Sequence, residues 1–177
     1  MTDAYVALLR GINVGGNHMV PMKALSRLFV AAGCTEVRTY IQSGNVLFHA
    51  SPELAAALPA LIMEQIEKSF GFAPAVLLRS RQQLRDVIRK NPYVQGTERL
   101  YVLFLAHAPA AGDVARLDPD RSPPDGFTVL GQEVYLHLPM GGARSKLTST
   151  YFDKTLATVS TARNWRTVTT LLTMLGD

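Results

Sequence analysis

Between Tyr5 and Arg79 the apolar residues switch repeatedly between a period of two and a period near 3.6, and few folds satisfy that alternation. Tyr5–Arg10 is a short apolar run stopped by Gly11, the pattern of a buried strand. After a loop with three glycines, Pro21 stands at the expected first position of a helix. Met22, Leu25, Leu28, Phe29 and Ala32 recur at spacings of three and four, and Gly33 supplies a left-handed stop. Glu36–Ile41 alternates, Gln42–Asn45 is turn chemistry, and Val46–His49 is a return strand, so a hairpin follows. Ser51-Pro52-Glu53 opens a second helix with a cap, a proline and an acid against the dipole. Pro59 either kinks that helix or delays its start to near Leu58. Leu61, Ile62, Ile66 and Phe70 form its apolar face, Gly71 ends it, and Ala75–Arg79 is a further strand. The order βαββαβ is that of a ferredoxin-like sandwich, an antiparallel sheet backed by two helices.

The rest of the chain reads as a smaller α+β part. Ser80 caps a helix that runs to about Lys90 and stops at Asn91-Pro92. This places a boundary between a ferredoxin-like subdomain at 1–92 and a second subdomain at 93–177. Arg99–Ala106 is the strongest strand of the chain. A proline-rich acidic loop with a short helix near Gly112–Leu117 leads to a second hairpin, Phe127–Leu130 and Glu133–Leu138. Pro139–Lys146 is a Gly-rich basic loop, and a short helix is expected over 147–155. Thr161 is the expected cap of a final helix to about Leu175, with Trp165, Val168, Leu172 and Leu175 inward. On this reading the second part ends on helices rather than a strand, and no internal repeat shows at the residue level.

Composition narrows the class. Of 177 residues 47% are hydrophobic and 18% charged, a globular balance. No apolar run reaches the roughly 18 residues of a membrane span. The N-terminus lacks a basic, secretory-type leader, which makes a cytoplasmic location the expectation. Cys34 is the single cysteine, and no His or Cys pair has zinc spacing, so no metal site is expected. The net charge of +4 permits an acidic partner without demanding one. Arg79, Arg81, Arg85, Arg89 and Lys90 read as a solvated helical face.

Three polar stretches are not explained by a core. Arg10-Gly11-Ile12-Asn13-Val14-Gly15-Gly16 joins a strand to a helix, the context of a phosphate loop, but the Lys-Ser/Thr that would complete one is Asn17-His18. Gln42-Ser43-Gly44-Asn45 sits at a hairpin tip. Thr161-Ala162-Arg163-Asn164-Trp165-Arg166 places arginine in an expected first helical turn, against the dipole. Gly141–Lys146 adds two cations in a loop. Each has a bland reading beside it: glycines that permit a turn, turn residues chosen for geometry, and a mobile surface loop.

The three stretches in this order resemble a bacterial family of uncharacterised proteins carrying domain of unknown function 1697. The resemblance spans nearly the whole chain and implies a two-part α+β fold with a ferredoxin-like portion, and no known activity. The family's characteristic residues correspond to Arg10, Gly11, Asn13, Gly15, Gly16, Ser43, Gly44, Asn45, Lys146, Arg163 and Asn164. The expectation is that the stretches converge on one cleft that holds a phosphate-bearing ligand, a nucleotide or nucleic acid. Arg10, Lys146 and Arg163 would neutralise phosphate, Asn13, Ser43, Asn45 and Asn164 would orient the ligand, and Gly11, Gly15 and Gly16 would let backbone amides approach. Two alternatives stay open: an enzyme acting on a small polar metabolite in that cleft, and a structural or oligomeric role for the motifs. Neither cofactor nor oligomeric state is legible.

Overall fold

The computed structural model describes residues 1–176. It is an α+β protein with two four-stranded antiparallel sheets. Its elements are β1 (Asp3–Leu9), α1 (Met22–Ala31), β2 (Thr35–Tyr40), β3 (Asn45–Ala50), α2 (Pro52–Phe70), β4 (Val76–Ser80), α3 (Arg81–Arg89), β5 (Leu100–Leu105), α4 (Ala111–Val114), β6 (Gly126–Leu130), β7 (Glu133–His137), α5 (Ser149–Leu156), β8 (Ser160–Asn164) and α6 (Trp165–Leu175). The chain forms two compact units: Met1–Arg85 with the residues from Leu171 onward, and Asp86–Thr170.

In the first unit the sheet order is β2-β3-β1-β4, every neighbouring pair antiparallel. Alternation along β1 and β3 brings Ala7, Leu9, Val46, Phe48 and Ala50 into one core with Leu25 and Phe29 of α1 and Leu58, Ile62 and Ile66 of α2. Phe29 and Phe48 meet there at 5.2 Å between ring centroids, and full burial of such side chains contributes about 1.5–3 kcal/mol each. Pro21 occupies the cap position of α1, one residue ahead of its expected place. The α2 helix starts where its cap predicts, with the Leu54 amide donating to Ser51 Oγ at 3.2 Å. It runs unbroken through Pro59, so of the two readings, a kink or a start near Leu58, the late start does not occur. Proline there removes one ladder donor, which the four buried contacts Ala55, Leu58, Ile62 and Ile66 outweigh.

In the second unit the order is β6-β7-β5-β8, again antiparallel throughout. Leu103, Leu105, Val134 and Leu136 pack with Phe152 and Leu156 of α5. Here the sequence expectation fails. Ser160–Asn164 is a strand, so the second unit ends its sheet as the first does, and Thr161 caps nothing. The helix begins at Trp165, where the Thr167 amide donates to Asn164 Oδ1 at 2.8 Å. Arg163 therefore lies in a strand, not in a first helical turn. The strand was hidden because its buried positions are Ser160, Thr161 and Arg163, which give no apolar alternation. Trp165 is half-buried, while Val168, Leu171, Leu172 and Leu175 carry the apolar face.

The two units are a structural repeat that the residues conceal. Each has the order βαββαβ followed by a helix, with the same strand permutation. Leu9 donates to Gly44 O and Leu105 to Gln132 O, while Arg10 donates to Ala75 O and Ala106 to Val159 O. Register aligns Arg79, opposite Val6, with Arg163, opposite Val102. Ser80 and Asn164 then cap α3 and α6 alike; the Gln83 amide donates to Ser80 Oγ, and Gln83 Oε1 accepts from the Ser80 amide to complete a capping box.

Candidate functional site

Two of the three polar stretches meet at one end of the first unit. The Leu9 amide donates to Gly44 O and the Arg10 amide to Ala75 O, each at 2.9 Å, so the chain leaves β1 between the β2–β3 tip and the start of β4. It then folds back on itself. The Asn13 amide donates to His18 O at 3.1 Å and the Asn17 amide to Val14 O at 3.0 Å. Gly15 and Gly16 form the tip of this ribbon with φ of +59° and +76°, the paired positive values a two-residue turn requires. The glycines thus stand apart from the α1 N-terminus, unlike those of a phosphate loop. A Cβ at Gly11, Gly15 or Gly16 would meet nothing within 4 Å, so these positions are open to an outside group.

Asn13 staples the arrangement. Its Nδ2 donates to Gln42 O at 2.8 Å and Val20 O at 3.0 Å, and its Oδ1 accepts from the Val20 amide at 2.7 Å. Asn13 holds φ +55°, a left-handed conformation that asparagine tolerates better than most residues. Asn45, fully buried at the start of β3, donates from Nδ2 to Tyr40 O at 3.2 Å and Ser43 Oγ at 3.1 Å. Both amides act on the chain itself. Gly44 has φ +77°, and a Cβ there would lie 2.9 Å from Ile12 Cγ1 and Leu9 Cβ. Sequence reasoning missed Ile12, Val20 and the Gln42 carbonyl; only the tertiary contact reveals them. It also missed that the exposed His18 ring stacks on Phe72, with centroids 4.4 Å apart.

Lys146, Arg163 and Asn164 belong to the second unit. Lys146 is exposed, but its backbone is pinned: its amide donates to Ser122 Oγ and its carbonyl accepts from Arg121 Nε, both at 3.0 Å. Arg163 is 7% exposed and donates to Thr161 Oγ1 at 2.7 Å and Ala162 O at 2.8 Å. Burial pushes its guanidinium down to about 10, which leaves it charged at neutral pH. Its counterpart Arg79 is equally buried and donates to its own preceding carbonyl, Leu78 O. Asn164 corresponds in the same way to Ser80. A residue pair present at the same place in both units serves what both units share, their architecture. Asn164→Ala should accordingly lower stability by about 1 kcal/mol, and Asn164→Ser should restore most of it in a thermal melt. Equal loss in both variants would refute the capping role.

Cys34 is buried, and burial pushes its thiol up to about 11, so it is no nucleophile at neutral pH. Among the described residues no group of three or more His, Cys, Asp or Glu is placed to hold a metal ion. No described helix is long and apolar enough to cross a membrane.

No curated protein matches the chain. A solved structure of a conserved bacterial protein, SP0830 from Streptococcus pneumoniae, shares its fold at a TM-score of 0.70 and 21% identity over 99% of both chains. The family model described as protein of unknown function (DUF1697) matches residues 1–135, which takes in the glycine ribbon and the β2–β3 tip whole. The chain belongs to the DUF1697 family.

Proposed function

We propose that the first unit binds a phosphate-bearing ligand at the loop pair formed by residues 10–18 and 42–45. Arg10 supplies the cation, and the open backbone at Gly11, Gly15 and Gly16 supplies amide donors. Asn13, Ser43 and Asn45 hold the two loops in register.

The observation that carries this reading is the repeat. The second unit makes the same two connections with far less chain. Residues 10–21 link β1 to α1, whereas residues 106–110 link β5 to α4; residues 41–44 close the first hairpin, whereas residues 131–132 close the second. Ala106 stands where Arg10 does, and Gln132 stands where Gly44 does. The topology therefore closes without an arginine, a glycine ribbon or an asparagine staple. What the first unit adds is strained, with positive φ at Asn13, His18 and Ile41, and its glycine tip is exposed. Such conformations cost about 1–3 kcal/mol each and cluster at functional sites.

Calorimetric titration with inorganic phosphate and with a nucleoside monophosphate at low salt tests the proposal. Saturable binding is expected, weakened about tenfold or more by Arg10→Ala, the loss of one charge-assisted hydrogen bond. Absence of saturable binding to either probe overturns it.

A further inference from the structure

The groove beside this loop pair carries three cations and no carboxylate. It has a volume of about 600 Å³ and is lined by Met22, Lys23, Ser26 and Arg27 of α1, Val37, Arg38 and Thr39 of β2, and Met174 of α6. Three of these residues are cationic and none is acidic. The α1 helix has no carboxylate along its length. Lys23 lies in its first turn, where a cation opposes the helix dipole. Lys23 and Arg27 are four residues apart on one face, a spacing at which like charges repel. Arg38 faces the groove from β2, its guanidinium donating to the Met174 carbonyl. Among the described residues neither Lys23 nor Arg27 has a carboxylate within ion-pair distance. Lys23 and Arg27 are left without a counter-charge, Arg38 adds a third exposed cation held by a carbonyl alone, and an anion in the groove meets all three.

The groove adjoins the loop pair at Met22. Met22, which lines it, brings its Sδ to 3.8 Å from Asn13 Nδ2, the atom that ties the loops together. Beyond the ribbon stands the His18–Phe72 stack with its exposed imidazole. Cations along a groove and an exposed ring on the adjoining ribbon are the elements of a surface for single strands: phosphates follow the cations and a base stacks on the ring. One phosphate cannot occupy both the ribbon and the Lys23–Arg27 row, which rises about 6 Å along the helix.

We infer that the ligand is a single-stranded nucleic acid, whose backbone runs from the glycine ribbon into the Lys23–Arg27–Arg38 groove. This rests on the reading of the loop pair as a phosphate site, and it adds that several successive phosphates are held.

Fluorescence anisotropy with an oligouridylate of about ten nucleotides, set against uridine monophosphate as competitor, tests it. The oligonucleotide should bind at least tenfold more tightly than the mononucleotide. The Lys23→Ala/Arg27→Ala double variant should flatten the slope of log K against log salt by about 1.4, two single-strand contacts, and leave mononucleotide binding unchanged. Both side chains are exposed, so the variant keeps its fold, which a thermal melt verifies. If the mononucleotide binds as tightly as the strand, or the slope is unaltered in the double variant, the groove inference is overturned while the loop-pair site stands. If neither probe nor phosphate binds, both fall.

Discussion

Gly44→Ala lowers the melting temperature by about 10 °C, for a loss of about 3 kcal/mol. Two effects add. At φ +77° an L side chain meets its own carbonyl, which costs about 1–2 kcal/mol. The new Cβ also lands 2.9 Å from Leu9 Cβ and from Ile12 Cγ1, and overpacking of this kind costs about 1–3 kcal/mol. Leu9 Cβ is fixed to a strand that pairs on both sides, so it cannot yield as the end of a flexible side chain would. Gly15→Ala is the control. It has a similar φ of +59° but open space around it, so it should lose only the strain. Thermal melts of the two variants separate the terms, and equal shifts would show that the packing against Leu9 and Ile12 does not matter.

Asn13→Ala removes every bond of the staple at once. The Val20 amide and carbonyl, in a residue 1% exposed, lose their partners. A buried polar group left unsatisfied costs about 1–3 kcal/mol. Alanine is also less at ease than asparagine at φ +55°. The expected total is about 3 kcal/mol, with the effect concentrated locally. Hydrogen exchange should show the Val20 amide losing protection and the 42–45 tip loosening, because the Gln42 carbonyl is released as well. A Val20 amide that stays protected in the variant would mean that another group holds the ribbon closed.

The difference between these loops and the rest of the chain explains what was legible. The βαββαβ order of residues 3–80 follows from periodicity and from punctuation by Gly33, Ser51 and Gly71, because each is a local property. The β8 strand did not follow. Its buried positions are Ser160, Thr161 and Arg163, and only pairing with β5 makes a strand of it. The same limit hid the repeat. The units agree in hydrogen-bond pattern and register, which many sequences satisfy, while their residues have diverged. Register alone sets Arg163 beside Arg79 and Asn164 beside Ser80 as equivalents.

Residue types and their spacing were enough to determine the α+β class, most helix and strand positions in both halves, and the three stretches that a core does not require. Those depend on neighbours within one turn or one pleat. Tertiary structure decided what each stretch touches. It joined Asn13 to Gln42 across 29 positions and set Gly44 against Leu9 and Ile12. It also set Lys23 and Arg27 of α1 across a groove from Arg38 of β2. Such meetings are fixed by how strands pair and helices pack, and neither is a property of any window of sequence.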